Sequence, residues 1–294
     1  MKKKEKKYIA PNEASLLRWI GALVVGTLIG SAIAFVAALI FKDRFDSVLG
    51  IELSRFSLML NFVPLFIGLV IAIKLVGKTS LKDFVLGVGG KLNMKECLIV
   101  LVLSLISFFM GLLTELGHIH MSGISFGTFA ASVLIMLAVI WMQTTYEELI
   151  FRGIFLRWIA KNDIGFNKKS IVAAVISSVL FALSHITNVE VTSLHGLEQI
   201  AMVCSYAIPG MAFFLMSMYF GNLMPGIIMH WVNNFMLATL ISGEVATIAM
   251  PTLLVTTTEH NGYMVLFSTL MTKIPFVAYI LWDIRKKKKA AAAS

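Results

Sequence analysis

The chain is poor in charged residues and in cysteine, and both scarcities narrow the class of protein. Only 14% of its 294 residues are charged, while 58% are hydrophobic and the mean hydropathy is +0.87; soluble domains carry about 25% charged residues. The two cysteines, Cys97 and Cys204, lie in apolar runs, so neither a disulfide framework nor a cysteine zinc site is available. This composition excludes an ordinary soluble domain and indicates a polytopic membrane protein.

Lys and Arg outnumber Asp and Glu by 25 to 16, an excess that is also compatible with nucleic-acid binding. Here the basic residues gather at the two termini and in short loops between apolar runs, which is the pattern of the cytoplasmic side of membrane proteins. We therefore expect a basic cytoplasmic tail at 1–14, a second basic tail at 284–294, both termini in the cytoplasm and no nucleic-acid partner. The closing AAAAS resembles a tag remnant and is excluded from the interpretation of the fold.

Apolar runs of roughly 20 residues, enough to cross a bilayer, recur along the chain. They cover 16–41, 57–76, 97–116, 126–160, 170–186, 200–219, 223–241 and 263–282. The loops 117–125, 187–199 and 243–261 contain no Lys or Arg and are expected outside. The sequence thus predicts an all-α, polytopic membrane protein: one transmembrane domain over 1–294, a bundle of about eight helices with a polar intramembrane cavity.

Two smaller patterns concern helix packing and the membrane surface. Gly26 and Gly30 are four residues apart in the first run, a spacing that predicts close helix packing within the chain or in a dimer. Residues 79–96 mix apolar residues with lysines, which predicts an interfacial segment on the inner surface.

The run at 126–160 is far longer than a span needs and contains Glu147, Glu148 and Arg152. One interpretation ends the membrane helix near Thr144 and lays the rest on the cytoplasmic surface as an amphipathic helix, because charges inside bilayers are costly. The other continues the helix inward, where Glu148 and Arg152, four residues apart, pair and lower the cost of burying both.

Counting residues from the predicted inner turns favours the second interpretation. At 1.5 Å per residue, Glu147 lies about 21 Å, His185 about 24 Å, His230 about 12 Å and Asn234 about 18 Å into the membrane. The hydrocarbon core is about 30 Å thick, so side chains from three helices reach its middle. His230 and Asn234 share one helix face. The four residues are therefore expected to meet in one pocket.

These residues form three motifs in order, EELIFR (Glu147, Glu148, Arg152), FALSH (Phe181, His185) and HWVNN (His230, Asn234). The set resembles the EExxxR, FxxxH and HxxxN motifs of the CPBP family, intramembrane proteases related to the CAAX prenyl endopeptidase, with bacterial members linked to bacteriocin immunity or peptide processing. The motif-bearing core covers about 125–240, and the family also has eight helices.

The resemblance implies catalytic roles for four residues. Glu147 and His185 would activate a water for attack on a peptide carbonyl, and His230 and Asn234 would polarise that carbonyl and stabilise the oxyanion. Donors of this kind suit a developing negative charge in a low-dielectric site.

The remaining motif residues are expected to support that site. The resemblance implies that Glu148 and Arg152 hold the catalytic residues in place. Phe181, one turn before His185, is expected to pack the pocket wall and to do no chemistry.

The cofactor is left open by the sequence. His185, His230 and Glu147 would be the ligands if a metal were bound, since two histidines and a carboxylate form a three-ligand catalytic zinc set. The family is labelled as metalloproteases, yet no HExxH is present. Asn234 is a poor zinc ligand and a good oxyanion donor, which favours a metal-free mechanism.

The first functional hypothesis is a cytoplasm-facing intramembrane endopeptidase that hydrolyses a peptide bond of a membrane-associated protein or peptide. A non-catalytic regulator or immunity protein would bind a peptide or membrane partner in the same cavity. A transporter also uses midplane carboxylates and histidines, but it predicts an inverted repeat that the hydropathy does not show. The compact chain suggests a bacterial cell membrane; substrate, cleavage site and oligomeric state are not determined.

Overall fold

The computed structural model describes residues 16–41, 60–159, 167–243, 245–247 and 250–292. The predicted N-terminal tail, the loop at 42–55 and residues 161–166 of the inner turn predicted at 161–169 lie outside these residues. So do the last two residues of the C-terminal tail.

The described residues fold almost entirely into helices, which confirms the all-α prediction. In chain order the α-helices are α1 Leu16–Phe41, α2 Phe62–Leu75, α3 Leu81–Leu86, α4 Met94–Leu112, α5 Phe126–Glu148, α6 Ile154–Ile159, α7 Lys168–Leu183, α8 Val189–Thr192, α9 Gly196–Phe220, α10 Met224–Thr239, α11 Gly262–Met271 and α12 Ile274–Ala292. A 3₁₀ turn, Leu113–Glu115, follows α4, and a π-helical turn, Leu149–Gly153, joins α5 to α6.

Three short strands in the segments predicted to lie outside form a small sheet. These strands are β1 Ile119–Met121, β2 Ile241–Gly243 and β3 Leu254–Thr256. The central strand β3 pairs antiparallel with β1 and parallel with β2. Three-residue strands are too short to show the alternation that identifies a strand in a sequence, so the sheet was not predicted.

Within the part of the chain that the structure describes, five helical segments are long and apolar enough to cross a membrane. They are Leu17–Ala37, Met94–Glu115, Phe126–Leu156, Gly196–Phe220 and Gly262–Ala291. The other three predicted spans coincide with α2, α7 and α10, which have 14, 16 and 16 residues and are shorter than the roughly 20 that a perpendicular span needs. The protein is therefore an integral membrane protein, and the count of eight spans stays a prediction.

The glycines of α1 lie against the backbone of α2, as the small-residue spacing predicts for packing within the chain. A Cβ on Gly30 would lie 2.7 Å from the Cα of Leu65, and one on Gly68 would lie 2.3 Å from the carbonyl oxygen of Gly26. Because no side chain separates the helices, their backbones are in direct contact.

The predicted interfacial segment contains α3, which packs partly into the bundle. Phe84 and Val85 are buried, and the ring of Phe84 meets that of Trp19 edge-on at 4.9 Å. The carbonyl oxygen of Val85 accepts a hydrogen bond of 2.9 Å from the amide of Leu223. Lys82 on the same helix is exposed, so α3 is amphipathic, and its place at the inner surface stays a prediction.

We expect Gly30→Ala to lower the thermal stability of the detergent-solubilised protein, because its methyl group would overlap the backbone of α2. Gly21→Ala is the matched control in the same helix, since a Cβ at Gly21 meets nothing within 4 Å. The measurement is the unfolding midpoint of each variant. Equal midpoints for the two variants would show that α1 and α2 are not in close contact.

Candidate active site

The π-helical turn holds the charged motif inside the bundle. Glu147 and Glu148 end α5, Arg152 lies in the turn, and their exposed fractions are 8%, 0% and 0%. The alternative of a surface helix beginning near Thr144 is therefore wrong for this stretch. Counting residues along the helix therefore gave a better prediction for this stretch than the cost of burying a single charge.

Arg152 is surrounded by aromatic rings. Its guanidinium carbon lies 4.3 Å from the ring centre of Phe181, 5.3 Å from that of Phe213 and 5.9 Å from that of Phe151. Ring faces attract a cation, most strongly where water is excluded. Phe181 thus packs the wall of the site, as predicted, and also contacts the buried cation.

Glu148 joins the buried cation to one of the two motif histidines. Its Oε1 lies 2.9 Å from Nη1 of Arg152 and 3.0 Å from Nδ1 of His230. A carboxylate only accepts hydrogen bonds, so Nδ1 of His230 carries the proton. Glu148 therefore fixes the tautomer and the orientation of His230, whose ring stacks on Phe213 with centres 4.9 Å apart.

Two glycines make room for the pair of Glu148 and Arg152. A Cβ on Gly226 of α10 would lie 2.8 Å from Oε2 of Glu148, and a Cβ on Gly210 of α9 would lie 3.1 Å from Nη2 of Arg152. Residues with larger side chains would push α9 and α10 away from the charged groups. The backbones of these helices thus form part of the site's wall.

Four side chains from α5 and α10 form a closed ring of contacts. Nε2 of Gln143 donates to Oε1 of Glu147 at 2.7 Å, and Nδ2 of Asn234 donates to Oε1 of Gln143 at 3.2 Å. Nδ2 of Asn234 also lies 3.2 Å from Nε2 of His230, which in turn lies 3.4 Å from Oε2 of Glu147. The predicted convergence of Glu147, His230 and Asn234 is therefore observed.

His185 lies beside this ring of contacts without joining it. Its Nδ1 donates to the carbonyl oxygen of Phe181 at 2.7 Å, which leaves Nε2 as the unprotonated nitrogen of the neutral ring. No nitrogen of His185 comes within 4.0 Å of a carboxylate oxygen of Glu147. The ring of Phe181 contacts both histidines, with its centre 4.5 Å from that of His185 and 5.5 Å from that of His230.

The site does not have the arrangement of a three-ligand metal centre. Among the described residues, no group of three or more His, Cys, Asp and Glu side chains could hold a metal ion. His230 directs one ring nitrogen to Glu148 and the other to Asn234. The set His185, His230 and Glu147 therefore does not fit a zinc ion in this arrangement.

Gln143 and Tyr206 contact the site residues but belong to none of the three motifs. Gln143, 4% exposed, precedes Glu147 by four residues and so shares its helix face; that spacing was a signal that could have identified it. Tyr206 stacks on His185 with ring centres 4.3 Å apart, and its hydroxyl donates to Glu190. The sequence holds no comparable signal for Tyr206, because 21 residues separate it from His185.

A cavity of about 590 Å³ borders the site. Phe213, Met229 and Asn233 line it on the side of the motif residues. Asn233 also donates from Nδ2 to Oδ1 of Asn234 at 3.0 Å. Glu147, His185, His230 and Asn234 are not among its lining residues, so the cavity borders the site through these neighbouring residues.

Comparison with known proteins agrees with the motifs. Residues 128–236, which contain EELIFR, FALSH and HWVNN, match the family model described as type II CAAX prenyl endopeptidase Rce1-like. No curated protein matches the chain significantly.

We expect Arg152→Met to destabilise the protein by about 3–5 kcal/mol, because it leaves Glu148 buried without its cation. The double variant Glu148→Gln with Arg152→Met should recover part of this loss, since no uncompensated charge remains. The measurement is chemical or thermal unfolding in detergent. A double variant that is less stable than Arg152→Met alone would contradict the charge pairing.

Proposed function

We propose that the protein is an intramembrane endopeptidase, a proposal supported by the match of residues 128–236 to the family model described as type II CAAX prenyl endopeptidase Rce1-like. It hydrolyses a peptide bond of a membrane-associated protein or peptide. The observation that carries the proposal is the contact of Glu147, His230 and Asn234, which brings a carboxylate, an imidazole and an amide together inside an apolar bundle.

Glu147 is the proposed general base. One of its carboxylate oxygens is held by Gln143, while the other, Oε2, accepts no hydrogen bond in the described part of the chain. A water hydrogen-bonded to Oε2 transfers its proton there as its oxygen attacks the peptide carbonyl. The same proton then passes to the nitrogen of the departing amine, so that Glu147 ends the cycle as it began.

His185 is the proposed second acceptor for that water. Its Nδ1 proton is committed to a backbone carbonyl, so Nε2 has a free lone pair that can orient the water for attack. Tyr206 stacks on one face of the ring and Phe181 contacts it as well. These two rings limit the rotation of His185 and keep Nε2 directed.

Asn234 and His230 are the proposed donors to the oxyanion. One N–H of Asn234 points to Gln143, and the other points to Nε2 of His230. The second N–H is the one that can turn to a substrate carbonyl oxygen. His230, with Nδ1–H held by Glu148, presents Nε2 on the same side and donates from it when that nitrogen is protonated.

Gln143 is the proposed positioning residue of this site. Three amides run head to tail, from Asn233 to Asn234, from Asn234 to Gln143, and from Gln143 to the carboxylate of Glu147. A carboxylate only accepts, so the last bond sets the direction of the whole chain. Gln143 therefore directs the N–H groups of Asn234 and holds one carboxylate oxygen of Glu147.

The side of the membrane from which substrate enters is part of the proposal. The cavity beside the site is lined by Ser242, Thr257 and His260, which lie in or next to segments predicted to be outside. This placement does not agree with the expectation of a cytoplasm-facing site. We propose entry from the side of the small three-stranded sheet.

We expect Glu147→Gln and His185→Ala each to reduce peptide cleavage by about 10²–10⁴-fold, the usual contribution of a general base. The assay follows cleavage of a peptide pool by the purified protein in lipid nanodiscs, with products identified by mass spectrometry. His195→Ala, which replaces an exposed histidine, is the control and should retain full activity.

Unchanged cleavage in both variants would reject the catalytic proposal. If no cleavage is found with the native chain, and both variants keep its effect in cells, the non-catalytic binding function would be supported instead. Comparing membrane peptides from cells that carry the native chain or Glu147→Gln would then identify what the cavity holds.

We expect Gln143→Met to lower kcat about 10-fold or more with little change in KM, because the methionine cannot direct Asn234 or Glu147. In Gln143→Glu, only the protonated carboxyl can donate to Glu147, so its activity should rise as the pH falls while that of the native chain does not. Gln199→Met is the control. A pH profile identical to that of the native chain would assign Gln143 a packing role only.

A further inference from the structure

Lys273 is a lysine in the middle of an apolar membrane segment. It lies between α11 and α12, inside Gly262–Ala291, one of the segments long and apolar enough to cross a membrane. A charged side chain at such a depth is costly, and such residues usually face a polar cavity and bind a substrate or an ion. The groups that Lys273 faces are therefore expected to explain its presence in this segment.

Lys273 lines the 590 Å³ cavity that borders the candidate active site. No carboxylate of the described residues lies within 4.0 Å of its ammonium group. The lining hydroxyls of Ser104, Ser107 and Thr272 donate to backbone carbonyls. Lys273 is thus the strong hydrogen-bond donor of this wall that no protein group neutralises.

The same cavity extends from Lys273 to neighbours of the residues expected to act on the substrate. The cavity is also lined by Phe213, which stacks on His230, and by Asn233, which donates to Asn234. Its volume lies within the range of about 300–1,000 Å³ that is usual for ligand pockets. A ligand in this cavity can therefore contact both Lys273 and these neighbours of the candidate reaction centre.

The carboxylates that line the cavity lie near its loop segments and are already engaged or exposed. Glu190 accepts from Tyr206 and Thr247, Glu115 accepts from Thr256, and Glu259 is exposed. These groups disfavour a second negative charge on the ligand at that end of the cavity. The positions of Lys273 and of these three glutamates therefore favour a ligand with one anionic group, bound at Lys273.

We propose that Lys273 binds a carboxylate of the peptide substrate and thereby fixes which bond lies beside Glu147 and Asn234. The carboxylate is either the C-terminus of the peptide or an acidic side chain; both present the same charged acceptor. Lys273 acts as a specificity-determining residue and takes no part in the hydrolysis. This inference rests on the proposed peptidase function.

The test measures binding separately from cleavage. Glu147→Gln protein in phosphatidylcholine nanodiscs is titrated with three pools of fluorescently labelled, apolar pentapeptides. The first pool ends in a free carboxylate, the second ends in a carboxamide, and the third ends in a carboxamide but carries one internal glutamate. The preference of the first or the third pool over the second identifies the source of the carboxylate.

We expect a carboxylate-bearing pool to bind about 10-fold more tightly than the carboxamide pool, as a charge-assisted hydrogen bond implies. Adding Lys273→Met should remove this preference by weakening only the carboxylate-bearing pool, while Lys273→Arg should keep it. Lys95→Met, which replaces an exposed lysine at the start of α4, is the matched control and should leave the preference unchanged.

Equal binding of the three pools would overturn the proposal without the need for any lysine variant. Loss of the preference when the nanodiscs contain phosphatidic acid would also overturn it, because Lys273 would then bind a lipid phosphate. Since these measurements use a variant expected not to cleave, they remain readable if the native chain proves to have no protease activity. If cleavage is confirmed but the three pools bind equally, carboxylate binding by Lys273 is rejected and the proposed peptidase function stands.

Discussion

The site depends on one buried carboxylate, that of Glu148, which contacts a guanidinium and an imidazole at the same time. Arg152 supplies the charge that makes the burial of Glu148 tolerable, and His230 receives its tautomer and direction from the other contact. Replacing such an ionic group by an apolar one often leaves stability unharmed, whereas removing one partner is costly. The pair is therefore best understood as a device that orients His230.

Much of this site follows from the sequence because depth in a membrane is proportional to residue number along a helix. That proportion predicts that Glu147, His230 and Asn234 meet, and they do. It does not predict how side chains are directed around the helix axis once a π turn intervenes, nor that no nitrogen of His185 lies within 4.0 Å of a carboxylate oxygen of Glu147. Gln143 was not predicted, because a glutamine among apolar residues has no distinctive chemistry until its hydrogen-bond partners are known.

The remaining features depend on close approach between helices, which composition does not encode. Gly210 and Gly226 resemble the many other glycines of the chain, and only the positions of Arg152 and Glu148 show why a side chain is excluded there. Most helix boundaries were predicted to within a few residues because apolar runs end where polar residues begin. The last span, predicted at 263–282, is instead divided into α11 and α12, and α12 continues to Ala292. The small sheet was missed because tertiary contacts, and not local pattern, hold its three-residue strands in place.

Phe181 contacts three groups at once: the guanidinium of Arg152 with its face, and the imidazoles of His185 and His230. A displacement of this ring therefore changes its contacts with both histidines and with the buried cation. A substitution that places a smaller or larger ring at position 181 is therefore expected to change the positions of both histidines together.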